Sequence, residues 1–443
     1  MSRKRRARAM VWRSGLPLFL ALTAIVAHAP WTPASGITSA ASVSSGGTEG
    51  NGNSASTQTA GSGRYVAFES NASNLVPGDT NGVSDIFLRD RATGQTDRVS
   101  VANNGQEANG PSHSARGVSP NGRYVVFESF ASNLVKGDTN GTWDVFLRDR
   151  SLGRTYRISV NSKGVQGNGP SADPVVSAKG RYVAYESSAS NLTSNDGNGA
   201  ITDVFLRDRA AHRTILVSVS SSGKAGNGSS SDPSISTTGR YVAFESLATT
   251  LVRKDTNLET DIFVRDLATR KTDRVSVNSR GVQGNAGSHS SAITPNGRYV
   301  AFESFSSNLA GVDTNHAADV FLRDRVAGKT YRVSVSSSGK PGNGYSSDPS
   351  ISDDGRYVAF ESAATNFVAG DTNARVDTFV RDRAARKTTC LSLTPGGQVG
   401  NAAASDPSLS ADGKYVAFES EASDLVAGDT NGHTDVFVRG PLL

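Results

Sequence analysis

The segment Asp79-Thr80-Asn81-Gly82-x-x-Asp85 gathers two carboxylates and an amide around a glycine, and the same pattern recurs along the chain. Hard oxygen donors alternating around a Gly are how proteins hold Ca²⁺, although this stretch is shorter than the roughly twelve-residue calcium loop. A second carboxylate strengthens the reading. If the strand before the loop pairs with the strand after it so that residue numbers sum to 154, Val66 faces Leu88, Phe68 faces Ile86 and Tyr65 faces Arg89. That register sets Glu69 opposite Asp85, an unfavourable pair without a cation. The candidate ligands are therefore Glu69, Asp79, Asn81 and Asp85; Glu128, Asp138, Asn140 and Asp144; Glu303, Asp313, Asn315 and Asp319; and their equivalents, which include Glu186/Asp203, Glu245/Asp261, Glu361/Asp377 and Glu419/Asp435.

An arginine could neutralise the pair instead. Arg98 is placed for it, but its counterparts are Leu216, Cys390 and Ala40 in three other units. Arg89 occurs in every unit, yet it lies four residues along the strand from Asp85, about 13 Å away. The alternative to a metal is that the carboxylates accept loop amides and sit in water.

Motifs for other chemistry are absent: no G-x-S-x-G elbow, no H-E-x-x-H and no P-loop. His113, His212, His289, His316 and His433 fall in different units without metal-ligand spacing. A catalytic site needs residues that occur once, and the singular ones near the loops are Trp143, Glu259, His316, Tyr345 and Arg375. The repeated Asn of G-N-G (Asn51, Asn109, Asn168, Asn227, Asn285, Asn343 and Asn401) serves first as a turn residue, because it tolerates positive φ.

The elements that position these residues are repeats. GRYVAFES or a near copy opens at Gly63, Gly122, Gly180, Gly239, Gly297, Gly355 and Gly413, in steps of 58 or 59 residues. Each unit reads as four strands, in the first Ser54 to Thr59, Arg64 to Ser70, Ser84 to Asp90 and Thr96 to Val101, and strands two and three are apolar on both faces. A sheet apolar on both faces needs cover on both, as a propeller blade has from its neighbours. The last unit lacks its fourth strand, and Gly36 to Gly52 aligns with Lys329 to Gly344, Val43 standing where Val335 does. The chain thus predicts an all-β, seven-bladed propeller over 36–443, with repeats opening near 54, 112, 171, 230, 288, 346 and 404, closed by the N-terminal strand pairing into the last blade. The long loops, between strands b and c and between d and a, share one end, where function is expected.

SISDDGRYVAFES (Ser350 to Ser362) resembles the TolB-type, WD-like propeller repeat, and the resemblance covers 37–443 without the α/β domain that precedes the propeller in TolB itself. It implies a propeller in the cell envelope and does not imply the transport role.

All net positive charge lies at the head. Residues 1–35 hold six Lys and Arg and no acid, leaving 40 basic against 41 acidic residues, so a nucleic-acid surface is not expected. The basic head and the apolar run Leu16 to Ala29 read as a signal peptide within a leader of 1–34, too short to anchor the chain. Cys390 is the single cysteine, which excludes an internal disulfide. The expectation is an exported monomeric binding propeller, with Ca²⁺ as a staple and a protein or cell-surface glycan on the loop face. The alternative is an extracellular hydrolase or lyase with a central pocket.

Overall fold

The computed structural model describes residues 36–442; the expected signal peptide lies outside them. Among the described residues, 28 strands form seven four-stranded antiparallel sheets, and there is no helix. The first blade comprises β2 (Ser54–Ala60), β3 (Tyr65–Ser70), β4 (Asp85–Asp90) and β5 (Gln95–Arg98), strands a to d. Strand d ends earlier than the sequence suggests. Val99 still donates to the Ile86 carbonyl at 2.7 Å, but Val101 then donates to the Val99 carbonyl at 2.8 Å, a tight turn that ends the ladder.

Closure is as expected. β1 (Ile37–Ala40) pairs with β28 (Asp435–Gly440), Ile37 against Gly440 and Ala40 against Phe437, and completes the last blade with β26 (Ala404–Leu409) and β27 (Val416–Ser420). The exposed edge of an open array is thereby removed.

Strand a lines the axis. Strands a of neighbouring blades bond to one another, as when Thr57 Oγ1 donates to the Asp406 carbonyl at 3.0 Å and Leu409 N–H donates to Ser350 Oγ at 2.9 Å. Each strand a carries a bulge, between Ala55 and Gln58 in the first blade. At its centre stands a residue with φ near 50°, Ser56, Ser114, Asp173, Asp232, Ser290, Asp348 or Asp406. In four blades Pro follows it, which has no N–H to lose from a ladder.

The b to c register corrects the expected one by a single residue. Tyr65 pairs with Asp90, Phe68 with Phe87, Glu69 with Ile86 and Ser70 with Asp85. Side chains alternate across a strand, so Glu69 and Asp85 leave the blade on opposite faces, as do the corresponding residues of every other blade. The observed register stacks Phe68 on Phe87 with ring centroids 5.8 Å apart. It also gives the first blade one face of Val and Phe and one of Ala, Ile and Leu. Ala67, Ile86 and Leu88 pack against Val125, Phe127 and Phe146 of the next blade, and Val66, Phe68 and Phe87 against Ala417, Val436 and Val438 of the last.

Candidate functional site

The D-T-N-G loops are built as internal staples. Asp85 is fully buried; its Oδ1 accepts from Ser100 at 2.5 Å and its Oδ2 from Asn81 at 2.7 Å. Arg98 lies 3.2 Å from Asp85, 3.1 Å from Asp79 and 2.9 Å from Glu107. Arg157 reaches Asp138 at 3.7 Å and Asp144 at 3.6 Å, Arg274 reaches Asp255 at 3.1 Å and Asp261 at 2.9 Å, and Arg332 reaches Asp319 at 3.4 Å. Asn140 bonds Asp144 at 3.0 Å, whereas Asn315 donates to the Gly342 carbonyl at 3.0 Å and Asp313 accepts the Asn315 N–H at 3.2 Å. Four blades thus carry their own cation. Among the described residues, no group of three or more His, Cys, Asp and Glu side chains is arranged to hold a metal.

Arg89 has a different task. It donates to the Ser44 carbonyl of the preceding blade and to Thr96 Oγ1, both at 3.0 Å, tying strand c to the neighbouring loop.

The glutamates form a second site that the sequence reading missed. Each reaches the next blade and accepts the N–H of its bulge residue: Ser114 at 3.2 Å for Glu69, Asp173 at 2.9 Å for Glu128, Asp232 at 3.0 Å for Glu186 and Ser56 at 3.1 Å for Glu419. Glu303 and Glu361 do the same with Asp348 and Asp406. A ring of carboxylates and four bulge aspartates therefore surrounds the axis. Arg116, in the second blade, answers them: its NH1 lies 2.6 Å from Asp232, two blades away across the channel. Burial opposes its charge, but Asp232, Asp173, Asp406 and Asp348 together hold its pKa above the ordinary value.

This crowding has electrostatic consequences. Burial pushes Glu128, Glu186 and Glu303 up to about 7, with neighbouring carboxylates adding to it. Asp232 and Asp406 are pushed up by burial to about 6, against the pull of Arg116. Glu245 is the exception: burial raises it, but His289 at 3.1 Å outweighs that and leaves it below the usual value. At the a to b turn end the channel widens into a cavity of about 300 Å³ bordered by Thr59, Arg116, Asp232, Ile235 and Ser408.

The opposite end, where the long loops emerge, is apolar at its rim. Phe130, Leu247 and Phe305 immediately follow strand b in their blades, donate their N–H groups to the residue that precedes strand a, and are 48, 51 and 53% exposed. Tyr345 precedes strand a of the sixth blade and is 40% exposed. Of the singular residues, Trp143 stacks near His113 (centroids 5.1 Å) and Phe130 (5.8 Å), and His113 stands 3.4 Å from Glu69. Tyr345 comes under the charges of Glu361 and Asp348, and Glu259 approaches Gly287 beside His289. His316 and Arg375 remain on their loops, their N–H groups tied to Asp313 and Asn373.

This geometry defines a seven-bladed β-propeller with an acidic axial channel and an apolar rim. No protein-family model matches the chain, and no curated protein matches its sequence. Solved structures share the fold. An oligogalacturonate lyase in complex with manganese aligns over 93% of this chain and 97% of its own at 10% identity, with a TM-score of 0.53. The propeller domain of the Trilobed protease from Pyrococcus furiosus, described as having an open velcro topology, aligns over 88% and 98% at 10% identity and 0.51. TolB from Acinetobacter baumannii aligns over 85% and 80% at 14% identity and 0.41. Among the described residues, no helix is long and apolar enough to cross a membrane.

Proposed function

We propose that this chain is an exported, non-catalytic binding propeller whose long-loop face engages a protein or a cell-surface glycan. The observation that carries it is the rim: Phe130, Leu247, Phe305 and Tyr345 are exposed around one channel mouth, with Trp143 and His113 beside them. Exposed apolar side chains gathered at loops mark a contact surface, and aromatic rings supply flat apolar area beside polar groups. The carboxylates under the rim offer acceptors to sugar hydroxyls or to peptide N–H groups. Export is supported by the basic head and short apolar run of residues 1–34.

A hydrolase or lyase is the second reading, supported by His113 beside Glu69 and His289 beside Glu245. Against it, the glutamates already accept N–H bonds from the bulges, and an acidic channel with Arg116 as its main cation repels anionic substrates. The test is a screen of purified protein against glycan and peptidoglycan fragments and envelope proteins, with hydrolase and lyase substrates alongside. Binding without turnover, lost in Phe130→Ser/Phe305→Ser while the melting temperature holds, is expected. Turnover, or binding indifferent to both changes, overturns the reading.

A further inference from the structure

We propose that the third blade binds one divalent cation, Ca²⁺ by its donor chemistry, in the loop from Thr193 to Asp203, at the point where four other blades place an arginine guanidinium. In the first blade a single nitrogen, Arg98 NH1, touches both Asp79 and Asp85, at 3.1 and 3.2 Å. The equivalent carboxylates of the third blade are Asp196 and Asp203, and the loop keeps its frame: Asn198 donates to the Gly226 carbonyl at 3.1 Å, as Asn81 does to that of Ala108. A cation at that point touches both aspartates. Here the residue in the arginine position is Leu216, and Ala225 stands where Glu107 does.

The second observation is the state of the oxygens. Asp203 is fully buried; Ser218 donates to its Oδ1 at 2.6 Å, and its Oδ2 has no partner. Asp196 Oδ1, Asn198 Oδ1 and Thr193 Oγ1 are also buried and without a partner. Four unpaired oxygens in one loop, two of them carboxylate, are costly unless a cation takes them.

The other arginine-free blades differ at the strand c carboxylate, although Asp371 Oδ1 in the sixth is buried without a partner as Asp196 Oδ1 is. Asp377 is satisfied by Ser392 at 2.6 Å and Asn373 at 3.0 Å, and Asp435 by Ser42 at 2.5 Å and Asn431 at 2.6 Å. The third blade has one extra residue between Asn198 and Asp203, and Asn198 stands beside Asp203 without the 2.7 Å bond that Asn81 makes to Asp85. The oxygen Asn81 spends within its own loop, on Val83 N–H, is the one Asn198 leaves free. An all-oxygen set of charge −2, completed by water, suits Ca²⁺, whose coordination tolerates irregular geometry better than that of Mg²⁺. A cavity of about 910 Å³ borders the loop at Thr193 and Asn195 and reaches Leu216.

The test is calorimetric titration of CaCl₂ into chelator-stripped protein, with melting curves in parallel. The wild type is expected to bind one Ca²⁺ and, at about 100 times Kd, to melt a few degrees higher. Leu216→Arg supplies the guanidinium and is expected to stay folded, give no binding heat and melt independently of calcium. Asp196→Asn alters a loop carboxylate without touching the core and is expected to weaken binding at least tenfold. No heat and no shift in the wild type, or either folded variant binding as the wild type does, overturns the proposal.

Discussion

Tyr415 lies across Gly63, so close that a Cβ built on Gly63 would stand 2.6 Å from the ring. The same contact joins every blade to the next, from Tyr65 over Gly122 to Tyr357 over Gly413. It explains two letters of the GRY motif together: the glycine has φ of 77° at Gly63, and it also leaves room for the neighbour's tyrosine.

Gly63→Ala is therefore expected to destabilise by more than the conformational cost of about 1 kcal/mol alone. Gly78→Ala is the control, since Gly78 has φ of 75° with nothing within 4 Å of its Cβ position. Denaturant titrations should place Gly63→Ala well below Gly78→Ala. Equal losses would mean the tyrosine moves aside freely.

Removal of residues 36–46 deletes β1 and takes Ser42 away from Asp435, leaving β28 with an unpaired edge and a buried carboxylate short of a donor. The expected loss is several kcal/mol, read as a lower melting temperature and increased aggregation. A melt within a degree or two of the parent would show that the ring does not depend on this strand.

The repeat, the blade and the closing strand were legible in the sequence because period and alternation carry them. The register was not: RYVAFES is apolar on both faces, so a one-residue slip leaves apolar residues facing both neighbours. The signal that separates the two registers is Phe68 against Phe87, an aromatic pair available only at the observed one. The bulge was signalled by Asp173-Pro174 and its repeats, since Pro inside a strand asks for one. The two 59-residue steps were also informative. One comes from the extra residue in the strand carrying Arg116, the other from the extra residue between Asn198 and Asp203. Both mark places where the units stop being interchangeable.

Stability should fall as pH rises through the neutral range. Glu128, Glu186 and Glu303, at about 7, and Asp232 and Asp406, at about 6, titrate above ordinary carboxylates, so the folded chain holds protons that the unfolded chain has released. Their contribution is complete below the unfolded value near 4 and is lost as pH rises through about 6 to 7. His113 and His289, raised by the hydrogen bonds their rings donate to Glu69 and Glu245, act in the same direction, while the lowered Glu245 acts against it. Melting temperatures measured from about pH 5 to about pH 7.5 should decline, with a shallower slope in Glu128→Gln. A flat profile would remove the axial carboxylates as its source.

Arg98→Leu recreates in the first blade the residue that the third blade carries. Arg98 is 10% exposed at its side chain and serves Asp79, Asp85 and Glu107 at once, so its loss leaves buried carboxylates whose charge nothing nearby balances. Breaking a buried pair from one side costs about 3–5 kcal/mol. The first blade differs from the third in that Asn81 already donates to Asp85 and to the Ala108 carbonyl, and its loop is one residue shorter. Arg98→Leu is therefore expected to lose stability in denaturant titrations and to recover only part of it in CaCl₂. A variant as stable as the parent would show that the arginine is a surface ornament, and the equivalence between guanidinium and cation would fail with it.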